Sequence, residues 1–441
     1  MYGIEDYLVE HARYNGERIA LVHGDVKISY SRLYSLCKAR SEEFKSQFSN
    51  TIVIRASQDI SFVVDYFAAH MAKKVFVPLE KDLPDSKFEE ITQIVSGNYI
   101  PDRVKDILFT TGTTGKQKGV MISDLAIVSN AENLIEAQGF CQETTFIISG
   151  PLNHIGSLSK IWPIIIVGGT LIITDGMKDI ASFFNALSYE SNKFATFLVP
   201  ASLRMLLRFE RSRLVDNANK FDFIETGAAP LSKEDMFELC KVFPNTRLYN
   251  TYASTETGIV CTHNYNTNAG CIDGCVGTVM KHSIVFITND DTIACKGPTL
   301  MSGYVGDTKL TQEILRNDTI YTSDIGFFDS SDRLILRGRN GDVINIGGYK
   351  VMPVEVENVV MAFGNISDCI CVRSDHPVIG NVLKLLYVSD NDSDFDQKAL
   401  VKYLKRNLES YKVPFFYEKT DKIARTYNGK LNRKYYELKI L

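Results

Sequence analysis

Residues 109–120, FTTGTTGKQKGV, set four threonines, three glycines and two lysines directly after an apolar run. Backbone amides in a Gly-rich turn converge on an anion, hydroxyls add donors and lysines add charge, so the stretch reads as a phosphate grip. Neither common nucleotide signature describes it. A P-loop needs a second glycine five places after the first, followed by Lys and Ser/Thr. Counted from Gly112 that place is Gln117, and from Gly115 it is Val120; G-x-G-x-x-G is absent from the stretch as well. Further along, NTYASTETG (250–258) offers a hydroxyl and a carboxylate side by side. Thr255 can donate to phosphate and Glu256 is a hard oxygen ligand for Mg²⁺, although Thr followed by an acid also suits a helix start.

These segments, in this order, resemble the motifs of the adenylate-forming superfamily, which comprises acyl-CoA synthetases, adenylation domains and luciferases. The phosphate loop matches at Thr110, Thr111, Gly112, Thr113, Thr114, Gly115, Lys118 and Gly119, with Gln117 where the family usually has Pro. The resemblance assigns this loop to the β- and γ-phosphates of ATP and adds Thr111 to the metal site. In 250–258 it implies that Tyr252 packs on adenine, with Asn250 in the same nucleotide set, that Thr255 contacts the α-phosphate, and that Glu256 holds Mg²⁺; Ala253 replaces the usual Gly. ETGAAPLS (225–232) is similar to the segment lying along adenine beside the acyl pocket, where Gly227 and Ala228 keep bulk away from a flat base.

YTSDIGFF (321–328) resembles the family's Thr-Gly-Asp segment, with Ser323 for Gly and Asp324 kept for the ribose hydroxyls. A turn aspartate is the plainer account of that residue alone. In LRGRNGDVINIGGYKVMPVEVE (336–357), Arg339 matches the arginine that reaches ribose and phosphate. Gly341 stands at the family's hinge position, and Gly347, Gly348 and Tyr349 match the loop lining a pantetheine tunnel. ARTYNGKLNRKYYE (424–437) supplies Lys430, the lysine expected to bridge carboxylate and α-phosphate. PLNHIGSLSKIW (151–162) is similar to the acyl-CoA synthetase form of its segment, putting His154 beside the acyl pocket or the thiol path. No aspartate lies between 151 and 165 to pair with an amino-acid substrate, which favours an acid without an α-amino group.

The resemblance therefore implies an enzyme using ATP and Mg²⁺ to convert a small carboxylic acid to its acyl-adenylate and pyrophosphate. The acyl group would then pass to the thiol of CoA. Two alternatives stay open: loading of a carrier-protein phosphopantetheine, with an acyl-carrier protein as partner, and a non-catalytic nucleotide-binding relative. Lys430, Thr255, Glu256 and His154 form the expected catalytic set.

The elements that must position these residues alternate. Apolar spacing predicts a helix over 30–44, a strand over 51–56, a helix over 62–74 and a strand over 75–79, with further strands at 168–175, 193–201 and 221–232. That rhythm indicates α/β layering. After about residue 283 short β-rich pieces take over, and α+β texture returns at the end, including a helix within 394–410. The resulting expectation is an α/β fold with a large N-terminal domain of layered sheets and helices (1–338), and a small mobile C-terminal α+β domain (339–441).

Composition narrows the rest. Among 441 residues the net charge is −4, which offers no general attraction for nucleic acid. The longest apolar run, 161–173, is short for a bilayer and is interrupted by Pro163 and Gly168-Gly169, so a buried element is expected there and no membrane span. The first residues carry early acids and lack the apolar segment of a secretory signal. Nine cysteines without a paired framework fit reduced thiols and a cytoplasmic location.

Overall fold

The computed structural model describes residues 2–111, 117–346, 349–376, 380–389, 396–425 and 431–437. Gly112, Thr113, Thr114, Gly115, Gly348 and Lys430, and the side chain of Thr111, lie outside the described residues. The chain divides into two compact units. The first takes Met1–Leu231, Met236–Phe286 and Ala294–Thr322; the second takes Ser232–Asp235, Ile287–Ile293 and Ser323–Leu441.

In the larger unit two sheets carry the candidate residues. One runs parallel through Ile19–His23, Thr170–Ile173, Thr145–Ile148, Phe194–Phe197, Phe221–Gly227 and Arg247–Ser254, in that spatial order. Gly258–Asn264 then returns antiparallel beside Arg247–Ser254. The other sheet sets Thr51–Arg55, Val75–Leu79 and Val104–Thr111 parallel, and closes with antiparallel Gln117–Ser123 and Gly303–Tyr304. Strands such as TLII and VFVPL are buried along their whole length, as expected where helices cover both faces.

Helices occur where apolar spacing and caps coincide. Tyr30–Ser46 begins at Ser29, whose hydroxyl accepts from the Arg32 amide, and Asp59 accepts from the Ser61 amide ahead of Ile60–Met71. The apolar run resolves into the Ile155–Val167 helix, which tolerates Pro163 and ends at Gly168 with φ +73°, followed by the Thr170–Ile173 strand. The expected 193–201 strand stops at Phe197, because Pro200 opens a helix, Pro200–Phe209, where its missing N–H costs nothing.

A buried polar chain pins the strand that feeds the phosphate loop. Trp162 Nε1 donates to the Tyr66 hydroxyl (2.8 Å), which donates to Asp106 Oδ2 (3.0 Å), while His70 Nε2 lies 2.8 Å from Asp106 Oδ1. Asp106 sits in Val104–Thr111, so the Ile60–Met71 helix holds that strand by its carboxylate and Trp162 of the Ile155–Val167 helix braces Tyr66 in turn. Among the described residues no helix is long and apolar enough to cross a membrane.

The smaller unit contains the Leu334–Arg339 strand, the Ile344–Ile346/Tyr349–Val351 hairpin and the Pro353–Met361 helix. A three-stranded sheet follows (Ile366–His376, Gly380–Ser389, Phe416–Lys419), then the Gln397–Asn407 helix. Val351, Val356, Val360, Cys371, Leu385 and Leu400 build its own core.

Candidate active site

The phosphate hairpin is set by cross-strand register. Thr110 stands opposite Lys118 and Thr111 opposite Gln117, so the described residues on either side of 112–116 lie on two paired antiparallel strands. Gly119 is required by packing: a Cβ there would fall 2.6 Å from Val305 Cγ1 and 2.8 Å from Phe109 Cζ.

The 250–258 segment is a second hairpin. Thr255, Glu256 and Thr257 form its turn, rather than the start of a helix. Ser254 and Thr257 close the turn on themselves: their hydroxyls lie 2.9 Å apart and the Thr257 amide donates to Ser254 Oγ at 3.0 Å. Gly258 follows at φ +72°, where an added Cβ would meet Asn130 Oδ1 at 2.4 Å and the Thr299 carbonyl at 2.7 Å. Asn130 and Asn133, one turn apart on the Asp124–Gln138 helix, hold this strand. Asn130 Oδ1 accepts from the Ile259 amide (2.7 Å) and Asn133 Nδ2 donates to the Ile259 carbonyl (2.9 Å).

Asn250 spends a side-chain N–H on the Cys275 carbonyl at 2.8 Å, and Tyr252 is buried. Glu256 is half-buried. It accepts from the Tyr304 hydroxyl at 2.9 Å, and among the described residues no ion pair neutralises it. A carboxylate of this kind beside a phosphate loop suits Mg²⁺, which takes one or two protein carboxylates and completes its shell with water and phosphate oxygens.

The 225–232 segment leaves the Phe221–Gly227 strand under backbone constraint. A Cβ on Gly227 would lie 2.7 Å from the Thr251 carbonyl, and Ala228 adopts φ +67°, a left-handed conformation uncommon for a residue with a Cβ. Strain of this sort concentrates at functional turns. Beneath the segment lies a feature that sequence reasoning missed. Lys160 and Glu225, 2% and 1% exposed, are ion-paired at 2.8–2.9 Å. The Lys160 ammonium also stands 5.2 Å from the Phe197 ring centroid, and that ring packs against the position where Gly156 lacks a Cβ. Burial pulls the Lys160 pKa down, and the Glu225 carboxylate works against it. The available signal was a lysine within SLSKIW and a glutamate within FIETG, each in an otherwise apolar neighbourhood. His154 precedes this helix at its N-cap position.

In the smaller unit Asp324 and Arg339 stand opposite one another in register, with Arg339 Nε donating to Asp324 Oδ1 at 2.7 Å. The geometry brings this pair together as one polar unit. Gly341 lies in the Asn340–Asp342 turn without a left-handed φ and with open space where a Cβ would be. Asp342 reaches Arg433 Nε (3.4 Å), and Arg433 grips Glu357 through both guanidinium nitrogens at 2.5 and 2.8 Å. Arg433 also donates to the Cys371 carbonyl at 2.9 Å. Arg433, three residues after Lys430 in the chain, is therefore held by a bidentate, mostly buried pair.

Two family models match the chain: the AMP-binding enzyme over residues 100–305 and the AMP-binding enzyme C-terminal domain over residues 355–430. The 2-succinylbenzoate–CoA ligase of Staphylococcus aureus (strain JH9) is 31% identical over 358 residues, covering 78% of this chain and 69% of its own. That of Staphylococcus epidermidis is 26% identical, covering 97% and 96%. ATP-bound MatB from Rhodopseudomonas palustris superposes with a TM-score of 0.86 at 20% identity over the full length of both chains. The o-succinylbenzoate CoA synthetase (MenE) of Bacillus subtilis, in complex with its acyl-adenylate OSB-AMP, gives 0.82 at 20% identity over 97% of each. With the ordered motifs placed on this fold, the chain belongs to the AMP-binding, adenylate-forming family of ATP-dependent acid–thiol ligases.

Proposed function

We propose that this chain activates an aryl carboxylic acid with ATP and transfers the acyl group to CoA, and that 2-succinylbenzoate, the acid named for its curated relatives, is the first substrate to try. The observation that carries the reading is the lacing of the Thr255–Glu256 turn to the phosphate hairpin. Met301 N donates to the Glu256 carbonyl (2.8 Å), Ser302 N to the Met121 carbonyl (2.7 Å) and Val305 N to the Gly119 carbonyl (2.9 Å). A triphosphate gripped at the hairpin thus has the turn's hydroxyl and carboxylate within the same framework.

In this reading the carboxylate oxygen attacks the α-phosphorus and the bond to pyrophosphate breaks. Two anions must approach, so the site has to neutralise charge as the pentacoordinate centre forms. Bound Mg²⁺ supplies that neutralisation at the phosphates. Glu256, joined by Thr111, would hold it, Thr255 donates to the α-phosphate, and Lys430 bridges the reacting groups. Tyr252, Asn250, Gly227 and Ala228 border adenine, and Asp324 with Arg339 receives the ribose. His154 lines the acyl side.

Thiol attack on the acyl carbon then expels AMP. Rotation of 339–441 about Gly341 would withdraw Lys430 and bring the Gly348 loop to the pantetheine arm. The nine cysteines, without a paired framework in the sequence, support a reducing, cytoplasmic setting.

The test is acid-dependent ATP–pyrophosphate exchange over aryl, short-chain, long-chain and amino acids, with CoA then added to each hit. Exchange with an aryl acid and thioester on adding CoA is the expected result. Exchange without CoA turnover would move the acceptor to a carrier protein; no exchange would refute the reading. Lys430→Ala should abolish exchange and spare thioester formation from preformed acyl-adenylate, whereas equal loss of both would contradict the two-state assignment.

A further inference from the structure

We infer that Tyr304 is a positioning residue that fixes the metal-holding carboxylate against the phosphate hairpin, an inference that rests on the role of Glu256 proposed above. Tyr304 lies outside the motifs that the resemblance supplies. It is 4% exposed, and its hydroxyl donates to Glu256 Oε1 at 2.9 Å. Its ring also faces Lys118, whose Nζ stands 5.6 Å from the centroid. One side chain therefore touches the loop lysine with its π face and the turn carboxylate with its hydroxyl.

The backbone around Tyr304 is fixed independently. Tyr304 pairs with Val120, its amide donates to Thr311 Oγ1 at 2.9 Å, and Gly303 before it adopts φ +128°. A tyrosine hydroxyl carries its proton at neutral pH, so beside a carboxylate it serves as the donor. A half-buried carboxylate on a turn has several rotamers. The Tyr304 bond selects one, and in doing so occupies Oε1 and leaves Oε2 to face a metal. Preorganisation of this kind lowers the ordering cost when Mg²⁺–ATP arrives.

The test uses the full-length protein with Mn²⁺ replacing Mg²⁺, reading free Mn²⁺ by electron paramagnetic resonance in the presence of ATP, with AMP affinity measured alongside by calorimetry. Tyr304→Phe keeps the ring against Lys118 and removes only the hydroxyl. It should weaken Mn²⁺–ATP about tenfold, as loss of one hydrogen bond to a charged group does, and leave AMP within about twofold. Glu256→Gln should weaken Mn²⁺–ATP at least as much, and adding Tyr304→Phe to it should cost little more.

If Tyr304→Phe binds Mn²⁺–ATP like the wild type while Glu256→Gln does not, the positioning role is overturned and the Glu256 assignment stands. Glu256→Gln binding normally would overturn the Glu256 assignment itself. Parallel weakening of AMP and Mn²⁺–ATP in Tyr304→Phe would reduce Tyr304 to a structural residue and overturn the inference.

Discussion

Replacing one partner of the Lys160–Glu225 pair should expose its energetics through pH. Both groups are almost wholly buried and 2.8–2.9 Å apart, so Lys160→Met leaves an unpaired carboxylate and Glu225→Leu an unpaired ammonium. An orphaned buried charge escapes by neutralising, and that limits the cost. At pH 7.5, protonating a glutamate of ordinary pKa about 4.3 costs about 4.4 kcal/mol, and deprotonating a lysine of about 10.4 costs about 3.9 kcal/mol. Both agree with the roughly 3–5 kcal/mol found when one member of a buried pair is removed. At about 2 °C per kcal/mol, each single variant should lower the transition midpoint of the larger unit by roughly 8 °C.

The signs of the pH dependence then differ. In Lys160→Met the folded-state pKa of Glu225 is raised above its unfolded value. The folded state holds more protons, and stability recovers as pH falls towards the ordinary carboxylate range. In Glu225→Leu the Lys160 pKa, already lowered by burial in the wild type, loses the one partner that raises it. The unfolded state then holds more protons, and stability recovers as pH rises towards the ordinary lysine value. The double variant Lys160→Met/Glu225→Leu should lie near the wild type and be flat with pH, since matched apolar residues replace buried ion pairs without large loss. Denaturant melts of all four proteins between pH 6 and 9.5 decide it. Singles costing under about 1 kcal/mol, or slopes of the same sign, would show that water reaches the pair and refute the reasoning.

Gly258→Ala combines a left-handed φ of +72° with a Cβ 2.4 Å from Asn130 Oδ1, so denaturant melts should show a loss of roughly 2–4 kcal/mol and exchange activity should fall with it. Gly341→Ala meets open space and no left-handed φ. Its melting should stay within about 0.5 kcal/mol of the wild type, so any selective loss of thioester formation in single-turnover assays would report the hinge rather than the fold. Arg433→Lys cannot reproduce the two-pronged contact with Glu357 at 2.5 and 2.8 Å; pyrophosphate exchange should drop about tenfold or more, while AMP calorimetry stays near the wild type. Asp324→Ala removes the acceptor that faces Arg339, and calorimetry should find AMP bound about tenfold more weakly.

What the sequence disclosed follows the range of the forces involved. Runs such as TIVIR and VFVPL announce strands because hydrophobic pattern acts locally, the second of them buried along its whole length. Pro200 shows where local reading slips: the strand pattern carried past Phe197, and only the N1 preference of proline explains the helix that begins there. The side chains that hold the motifs in place were illegible for a different reason. Tyr304 meets Glu256 across 48 residues of chain, Asn133 meets the Ile259 carbonyl across 126, and Lys160 meets Glu225 across 65.

Each of these contacts leaves only a polar residue in apolar company as its trace, and nothing in the sequence names the partner. Desolvation makes that trace informative. A buried amide, hydroxyl or charge is destabilising unless paired, so each one requires a partner somewhere in the fold. Asn130 and Asn133, buried on the inner face of their helix beside Ala126, Ile127, Ala131 and Leu134, required one, and they found both polar groups of Ile259, directly after the turn bearing Glu256. In the proposed reading the motif side chains meet the nucleotide, and the buried polar residues that pair across the fold hold those segments in place. In this chain Asn130, Asn133 and Tyr304, which lie outside the motifs, are where changes of substrate or metal response should arise without any change to the motifs themselves, while Lys160 and Glu225 brace two motif segments from within.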